Sequence, residues 1–187
     1  MVKPKEIAIF LDRDGVINKY PGDTKYVTSW KKFCFLPRAR EAVALLTSKN
    51  YPVFVISNQA GVGKGIYSQD TLNDISARML KALERTNAKI NAVFYCTHRD
   101  EDNCSCRKPK AGLIKSAIKG RRINLKNSFF IGDTIRDVHT AKAAGCKSIL
   151  VLCGKEKLAN QDNWQARPDL IFKDLYEAAG FISNHCN

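Results

Sequence analysis

The sequence of 187 residues lacks the features that would place it in a membrane or outside the cell. No apolar run approaches the roughly 18 residues that a membrane-spanning helix needs, and the opening stretch MVKPKEIAIFLDRD shows no signal-peptide cleavage pattern. Internal repeats, low-complexity tracts and a recognisable domain linker are also missing. We therefore expect a cytoplasmic protein without membrane contact, built as one domain over residues 1–187 and acting as a monomer.

Acidic residues are scarce relative to basic ones. Eighteen Asp and Glu stand against 31 Lys and Arg, which gives a net charge of +13. Such a surface attracts anions, and both phosphorylated metabolites and nucleic acids are anions. The basic residues are scattered, however, and no arginine-glycine or aromatic-rich segment accompanies them. We expect a small phosphorylated molecule as the partner and no nucleic acid.

The seven cysteines do not indicate a disulfide framework, because no secretory signal accompanies them. Four of them are dispersed, and the sequence does not say whether they react: Cys34, Cys146, Cys153 and Cys186. The other three lie with His98 in the polar loop YCTHRDEDNCSCRKP, as Cys96, Cys104 and Cys106. Three thiolates and one imidazole predict a tetrahedral Zn²⁺ site, although the spacing is tighter than in zinc fingers. All four ligand positions are filled, so the Zn²⁺ should be structural.

Short apolar runs alternate with helical patterns along the whole chain. The runs EIAIFL, YPVFVIS, NAVFYC, SFFIG and KSILVL predict strands, and residues 37–49, 69–86, 111–119 and 134–144 predict helices. Ser68 is the expected N-cap of the second helix, and Gly145 is the expected stop of the fourth. The pattern predicts an α/β fold of three αβα layers around a doubly wound, mostly parallel sheet. The chain is too short for a large cap domain.

Polar motifs follow the predicted strands: DRDG, SNQAGVGKG, RKP and GDTIRD. Ligands of open parallel sheets bind beyond the carboxyl ends of the strands, so these motifs should share one crevice. Residues i and i+2 of an extended segment point the same way, which places Asp12 and Asp14 in the crevice and Arg13 aside. With Asp133, they form an oxygen-only site suited to Mg²⁺.

This set of residues predicts phosphoryl transfer through a covalent intermediate. Asp12 attacks phosphorus, and Asp14 protonates the leaving oxygen and later deprotonates the attacking water. Backbone N–H groups of the SNQAG turn, together with Ser57, Lys108 and Mg²⁺, neutralise the charge on the phosphoryl oxygens. The residues assigned to phosphate and substrate binding are Ser57, Asn58, Gln59, Arg107 and Lys108.

The sequence resembles the haloacid dehalogenase-like phosphatases, in the group that contains the heptose 1,7-bisphosphate 7-phosphatases and the histidinol phosphatases. The similarity extends over FLDRDGVIN, SNQAGVGKGIY, CTHRDEDNCSCRKP and GDTIRDVHTAKAAGC. The resemblance implies that Asp12 is the nucleophile and Asp14 the acid and base. It also implies that Mg²⁺ is held by Asp12, by Asp14 through its carbonyl and by Asp133. The Zn²⁺ loop ending in Arg-Lys-Pro is typical of this group.

The stretch NQAGVGKGIY is similar to that of the heptose enzymes, so the resemblance implies removal of the C7 phosphate of a heptose bisphosphate. Arg107 and Lys64 would then meet the distal phosphate. The first loop, KYPGDTKYV, is longer than the segment that the family has there. Alternative hypotheses are a histidinol-phosphate phosphatase, a polynucleotide 3′-phosphatase and a basic nucleic-acid-binding module without enzymatic activity.

Overall fold

Six parallel strands form one sheet in the computed structural model, which describes residues 5–185. Cys186 lies outside the described residues. The strands are β1 Ile9–Leu11, β2 Val53–Asn58, β3 Ala92–Cys96, β4 Phe129–Gly132, β5 Lys147–Val151 and β6 Leu170–Phe172. Their order is β3-β2-β1-β4-β5-β6, with β1 and β4 at the centre and every neighbouring pair parallel. The order reverses at β1, as the doubly wound prediction requires.

Residues 5–185 contain five α-helices, of which four lie between strands and the last follows β6: α1 Ala39–Ser48, α2 Gln69–Glu84, α3 Gly112–Ala117, α4 Ile135–Ala144 and α5 Leu175–His185. The predicted helices are confirmed with small shifts of their ends. Residue 38 explains one shift, because Arg38 has a left-handed φ of 57° and α1 begins only after it. No inserted domain interrupts the sheet between residues 5 and 185, in agreement with the expected lack of a large cap.

Helix termini follow the sequence signals. The Oγ atom of Ser68 accepts a hydrogen bond from the N–H of Thr71 at 3.1 Å, which caps α2. Gly145 ends α4 with a φ of 77°, a conformation that suits glycine. Within residues 5–185, no helix combines the length and the apolar character that a membrane crossing requires.

The helices cover both faces of the sheet. Ile9 and Leu11 of β1 pack on the side of α1, α2 and α5, whereas Phe10 packs on the side of α3 and α4. Successive side chains of a strand point to opposite faces, so a continuous apolar run fills two core layers. The three αβα layers that the sequence predicts are therefore confirmed, and the polar residues that follow each strand lie outside the core.

The dispersed cysteines differ in exposure. Cys34 is exposed, whereas Cys146 is buried and Cys153 is half-buried. Burial raises the pKa of the Cys146 thiol to about 12, and burial together with the charge of Asp133 raises that of Cys153 to about 11. Both thiols are therefore protonated at neutral pH and poor nucleophiles.

Candidate active site

One polar cavity of about 460 Å³ opens at the carboxyl ends of the central strands. Its wall contains every residue predicted for catalysis, phosphate binding or Mg²⁺ except Gln59, namely Asp12, Asp14, Ser57, Asn58, Arg107, Lys108 and Asp133. Asp12 follows β1, Ser57 and Asn58 end β2, and Asp133 follows β4. The parallel topology therefore gathers residues that are up to 121 positions apart in the chain, from Asp12 to Asp133.

Lys108 lies at the base of this cavity between two carboxylates. Its Nζ atom is 2.7 Å from Oδ2 of Asp12 and 2.6 Å from Oδ1 of Asp137. Asn58 holds the lysine backbone, because its Oδ1 accepts from the N–H of Lys108 at 3.0 Å and its Nδ2 donates to the carbonyl at 3.2 Å. The sequence analysis assigned no role to Asp137, although this residue is the second aspartate of the motif GDTIRD, which could have indicated it.

Burial dominates the electrostatics of these groups. It raises the pKa of Asp12, and the neighbouring charge of Asp137 adds to this although Lys108 opposes it. It also raises the pKa of Asp133 well above its usual value, with further contributions from Asp137 and Asp12. Burial alone would lower the pKa of Lys108, but the two carboxylates outweigh it and raise that pKa. One lysine thus faces three buried carboxylates, and the site has an excess of negative charge.

The donor set fits a hard divalent cation. One carboxylate oxygen from each of Asp12, Asp133 and Asp137 can be chosen so that all three lie within 4.8 Å of one another. Asp137 is already committed, because its Oδ1 meets Lys108 and its Oδ2 accepts from the N–H and the hydroxyl of Thr134. Asp12 and Asp133 are therefore the carboxylates that could hold Mg²⁺, which prefers oxygen ligands. A cation would also offset the excess negative charge.

Two glycines let the backbone approach Asp133. A Cβ atom on Gly15 would lie 2.0 Å from Oδ2 of Asp133, and one on Gly154 would lie 2.1 Å from the same atom. Gly15 also has a φ of 83°, which disfavours other residues. The loops after β1 and β5 therefore enclose Asp133 only because these two positions carry no side chain. The N–H of Lys155 donates to Oδ2 of Asp133 at 2.8 Å and fixes its orientation.

Asp14 shares the cavity with Asp12 but has different partners. Arg13 points away from the cavity, as expected, yet it is completely buried and its Nη2 lies 2.9 Å from Oδ2 of Asp14. Its Nε donates to Oδ1 of Asp14 at 3.2 Å, and Asn18 donates to the same oxygen at 2.8 Å. The two aspartates of DRDG therefore have separate environments, with Lys108 beside Asp12 and Arg13 beside Asp14.

Gln59 lies behind the cavity wall. Its side chain is buried, and its Nε2 donates to Oδ2 of Asp14 at 2.9 Å and to Oγ of Ser57 at 3.2 Å. The side chain predicted to bind substrate therefore contacts Asp14, which does line the cavity.

Basic side chains surround the mouth of the cavity: Lys25, Lys64, Arg107, Arg136 and Lys155. Arg107 is paired with Asp100 of the cysteine loop. Lys155 is paired with Asp23 of the first loop at 2.6 Å, and Tyr20 donates to the same Asp23 oxygen at 2.6 Å. The sequence analysis assigned no role to Lys25, Arg136 or Lys155. The mouth of the cavity can therefore attract anions.

The predicted zinc ligands come together. The Sγ atoms of Cys96, Cys104 and Cys106 and the Nδ1 of His98 lie within 4.8 Å of one another. Cys106 Sγ is 3.3 Å from both other sulfurs and 3.2 Å from the imidazole nitrogen. Three sulfurs and one nitrogen in a closed cluster suit Zn²⁺ in type and number. The cluster directly precedes Arg107 and Lys108 in the chain.

Carboxylates after β1 and β4, a serine at the end of β2 and a buried lysine beside the first carboxylate define a haloacid dehalogenase-like hydrolase. The family model described as HAD-hydrolase-like matches residues 105–178. The D-glycero-beta-D-manno-heptose-1,7-bisphosphate 7-phosphatase of Neisseria meningitidis is 34% identical over 176 residues, which cover 93% of each chain. The D-glycero-alpha-D-manno-heptose-1,7-bisphosphate 7-phosphatase of Campylobacter jejuni is 36% identical, covering 95% of this chain and 96% of its own.

A solved structure agrees. The D,D-heptose 1,7-bisphosphate phosphatase from B. bronchiseptica, complexed with magnesium and phosphate, superposes with a TM-score of 0.89 at 30% identity and covers 96% of this chain and 99% of its own. The chain belongs to the family of the heptose-1,7-bisphosphate 7-phosphatases, and it is a phosphatase. The resemblance drawn from the sequence motifs is confirmed.

Proposed function

We propose that this protein hydrolyses the C7 phosphate ester of D-glycero-D-manno-heptose 1,7-bisphosphate through an aspartyl-phosphate at Asp12. The observation that carries the proposal is the contact of Lys108 with the Asp12 carboxylate, at the bottom of a cavity with several cations at its mouth. The basic mouth suits a substrate with a second phosphate. The names of the relatives point to the same substrate.

In the first step, an oxygen of Asp12 forms a bond to phosphorus while the bond from phosphorus to the sugar oxygen breaks. Asp14 gives its proton to that leaving oxygen, so the sugar departs as an alcohol. In the second step, Asp14 takes a proton from water while the water oxygen attacks phosphorus. The bond between phosphorus and Asp12 then breaks, which yields inorganic phosphate and restores both carboxyl groups.

Other side chains stabilise the transferred group. The ammonium of Lys108 and the hydroxyl of Ser57 line the cavity beside Asp12, where they can donate to the phosphoryl oxygens. Asp12 and Asp133, with the carbonyl of Asp14, would hold Mg²⁺. When bound, this ion neutralises part of the negative charge on the phosphoryl group. The charge excess of the site supports this role.

We also propose a structural Zn²⁺ at Cys96, His98, Cys104 and Cys106, a single phosphatase domain and a monomer that works in the cytoplasm. The thiol cluster needs a reducing compartment to stay reduced, which supports the last point.

A substrate panel tests the proposal. Purified protein with Mg²⁺ is assayed for kcat/KM on both anomers of the heptose bisphosphate, on histidinol phosphate and on a 3′-phosphorylated oligonucleotide. Both anomers are included because the relatives are named for either one. We expect the highest kcat/KM for a heptose bisphosphate. An equal or higher value for histidinol phosphate or the oligonucleotide would overturn the substrate assignment, and salt-dependent DNA binding without any phosphatase activity would overturn the enzyme class.

A further inference from the structure

The carboxylate of Asp14 is held by hydrogen bonds from three protein side chains. Four N–H donors meet its two oxygens: Nε and Nη2 of Arg13, Nδ2 of Asn18 and Nε2 of Gln59. Three of the resulting hydrogen bonds end on Oδ1 and two end on Oδ2. The arrangement fixes the plane of the carboxylate as well as its position.

The two oxygens of Asp14 are not equivalent. Oδ1 accepts two hydrogen bonds from the guanidinium of Arg13 and one from the amide of Asn18. Oδ2 accepts only one from Arg13, through Nη2, and one from the amide of Gln59, each at 2.9 Å. Hydrogen bonds from a charged guanidinium are stronger than those from an amide. Oδ2 is therefore the oxygen with fewer hydrogen bonds and with the weaker set of donors.

Tyr67 orients Gln59. The hydroxyl of Tyr67 donates to Oε1 of Gln59 at 2.7 Å, so the amide nitrogen must point the other way, toward Asp14. Burial raises the pKa of Tyr67 to about 12, which keeps the hydroxyl protonated and able to donate. Gly61 makes room for this ring, because a Cβ atom there would lie 2.2 Å from Cε1 of Tyr67. The hydrogen bond that orients Gln59 therefore depends on the close packing of the Tyr67 ring against Gly61.

We propose that Gln59 and Tyr67 are positioning residues that aim Oδ2 of Asp14 at the leaving oxygen of the substrate. Both act through Asp14, because Gln59 lies behind the cavity wall and Tyr67 contacts Gln59. This assignment rests on the proposed function. It replaces substrate binding, the role predicted for Gln59 from the sequence, by control of proton transfer.

The role has a kinetic signature. An alkoxide is a poor leaving group and needs the proton of Asp14, whereas a nitrophenolate leaves without one. The constant kcat/KM reports only the steps up to departure of the leaving group. A positioning defect should therefore lower kcat/KM for an alkyl phosphate and leave that for 4-nitrophenyl phosphate almost unchanged. Damage to the fold or to phosphate binding would lower both.

The experiment compares Gln59→Leu and Tyr67→Phe with wild-type protein on 4-nitrophenyl phosphate and on the alkyl phosphate that the wild-type enzyme hydrolyses best. Tyr67→Phe removes one oxygen atom and carries the test if Gln59→Leu does not fold. Tyr176→Phe, which removes a hydroxyl that does not line the cavity, is the matched control. The loss of one hydrogen bond to a charged group corresponds to about 10- to 100-fold, and we expect a loss in this range for Gln59→Leu on the alkyl ester. Tyr67→Phe should lose less, with the same selectivity.

Equal losses on both esters, or no loss on either, would overturn the positioning role while the phosphatase function stands. A wild-type protein that hydrolyses neither ester would overturn the proposed function, and the positioning role with it.

Discussion

The ammonium nitrogen of Lys108 lies 2.7 Å from Oδ2 of Asp12, with both side chains almost completely removed from solvent. This contact brings a loop that follows β3 onto the first residue after β1. The ammonium of Lys108 neutralises the charge of Asp12 in the absence of substrate. The same ammonium is then in position to contact the transferred phosphoryl group.

Replacing Lys108 by Met should lower kcat/KM about 100- to 1,000-fold, as removal of one preorganised donor to a developing charge does. The loss of the ammonium also leaves Asp12 and Asp137 without their shared partner. Steady-state kinetics on the heptose bisphosphate measures the effect. Lys115→Met, on the exposed face of α3, is the control and should behave as wild type. A Lys108→Met protein with activity within about threefold of wild type would show that the contact is only structural.

Mg²⁺ should raise the melting temperature more at about pH 8 than at about pH 5. Burial raises the folded-state pKa of Asp12 and Asp133 above the unfolded values. Such groups contribute stability below their unfolded pKa and lose it as pH rises through the folded pKa. The ionisation of these two carboxyl groups should therefore lower the melting temperature of the metal-free protein as pH rises. Because Mg²⁺ binds ionised carboxylates, it should restore that stability.

Thermal unfolding with and without Mg²⁺ at both pH values measures this difference. Asp133→Asn is the control variant, because it removes one buried charge and one ligand, and its Mg²⁺ response should disappear. An equal Mg²⁺ shift at the two pH values would argue against Asp12 and Asp133 as the ligands.

The cysteine loop should bind one Zn²⁺ per chain. Elemental analysis of purified protein should find this stoichiometry, and Cys106→Ser should lose the metal because only two thiolates and one imidazole remain. The variant should also melt at a lower temperature and lose activity, since Cys106 is followed directly by Arg107 and Lys108. Cys34→Ser, at an exposed cysteine outside the cluster, should keep both metal and activity. Full zinc content in Cys106→Ser would refute the ligand assignment.

Arg107 and Arg136 should favour the binding of bisphosphates over that of monophosphates. Changing either to Ala should raise KM for the heptose bisphosphate, by about tenfold for Arg107, whose side chain is only 12% exposed, and less for exposed Arg136. The kcat and the KM for a monophosphate should change little. Arg78→Ala, on the exposed side of α2, is the control. An unchanged KM for the bisphosphate in Arg107→Ala would remove that residue from the distal phosphate site.

The sequence predicted the sheet and the position of the site because both depend on local patterns. Apolar runs such as YPVFVI identify buried parallel strands, and polar residues directly after them must lie at one edge of the sheet. Asp12, Asp133 and Lys108 were found in this way. The clustering of Cys96, His98, Cys104 and Cys106 was predicted because three thiols and an imidazole in one short polar loop are typical of a structural zinc site.

The contacts between distant residues were not predictable. Tyr67 meets Gln59 eight residues away, but the contact of Gln59 with Asp14 depends on how β1 and β2 pair. Lys155 meets Asp23 across 132 residues, and nothing in either local sequence indicates this pair. Asp137 was overlooked for a different reason. An aspartate three residues after Thr134 indicates a capping box at the start of a helix, and Asp137 does form one with Thr134.

The covalent role of Asp12 is the central claim, and chemical trapping of the intermediate tests it most directly. The enzyme is mixed with substrate, quenched at steady state and treated with borohydride, which reduces an aspartyl-phosphate to homoserine. Peptide mass spectrometry then locates the change. We predict homoserine at position 12 in the wild-type protein, with aspartate retained at position 14, and no reduction in the absence of substrate. Active enzyme that yields no homoserine at position 12, or yields it at position 14, would contradict the mechanism.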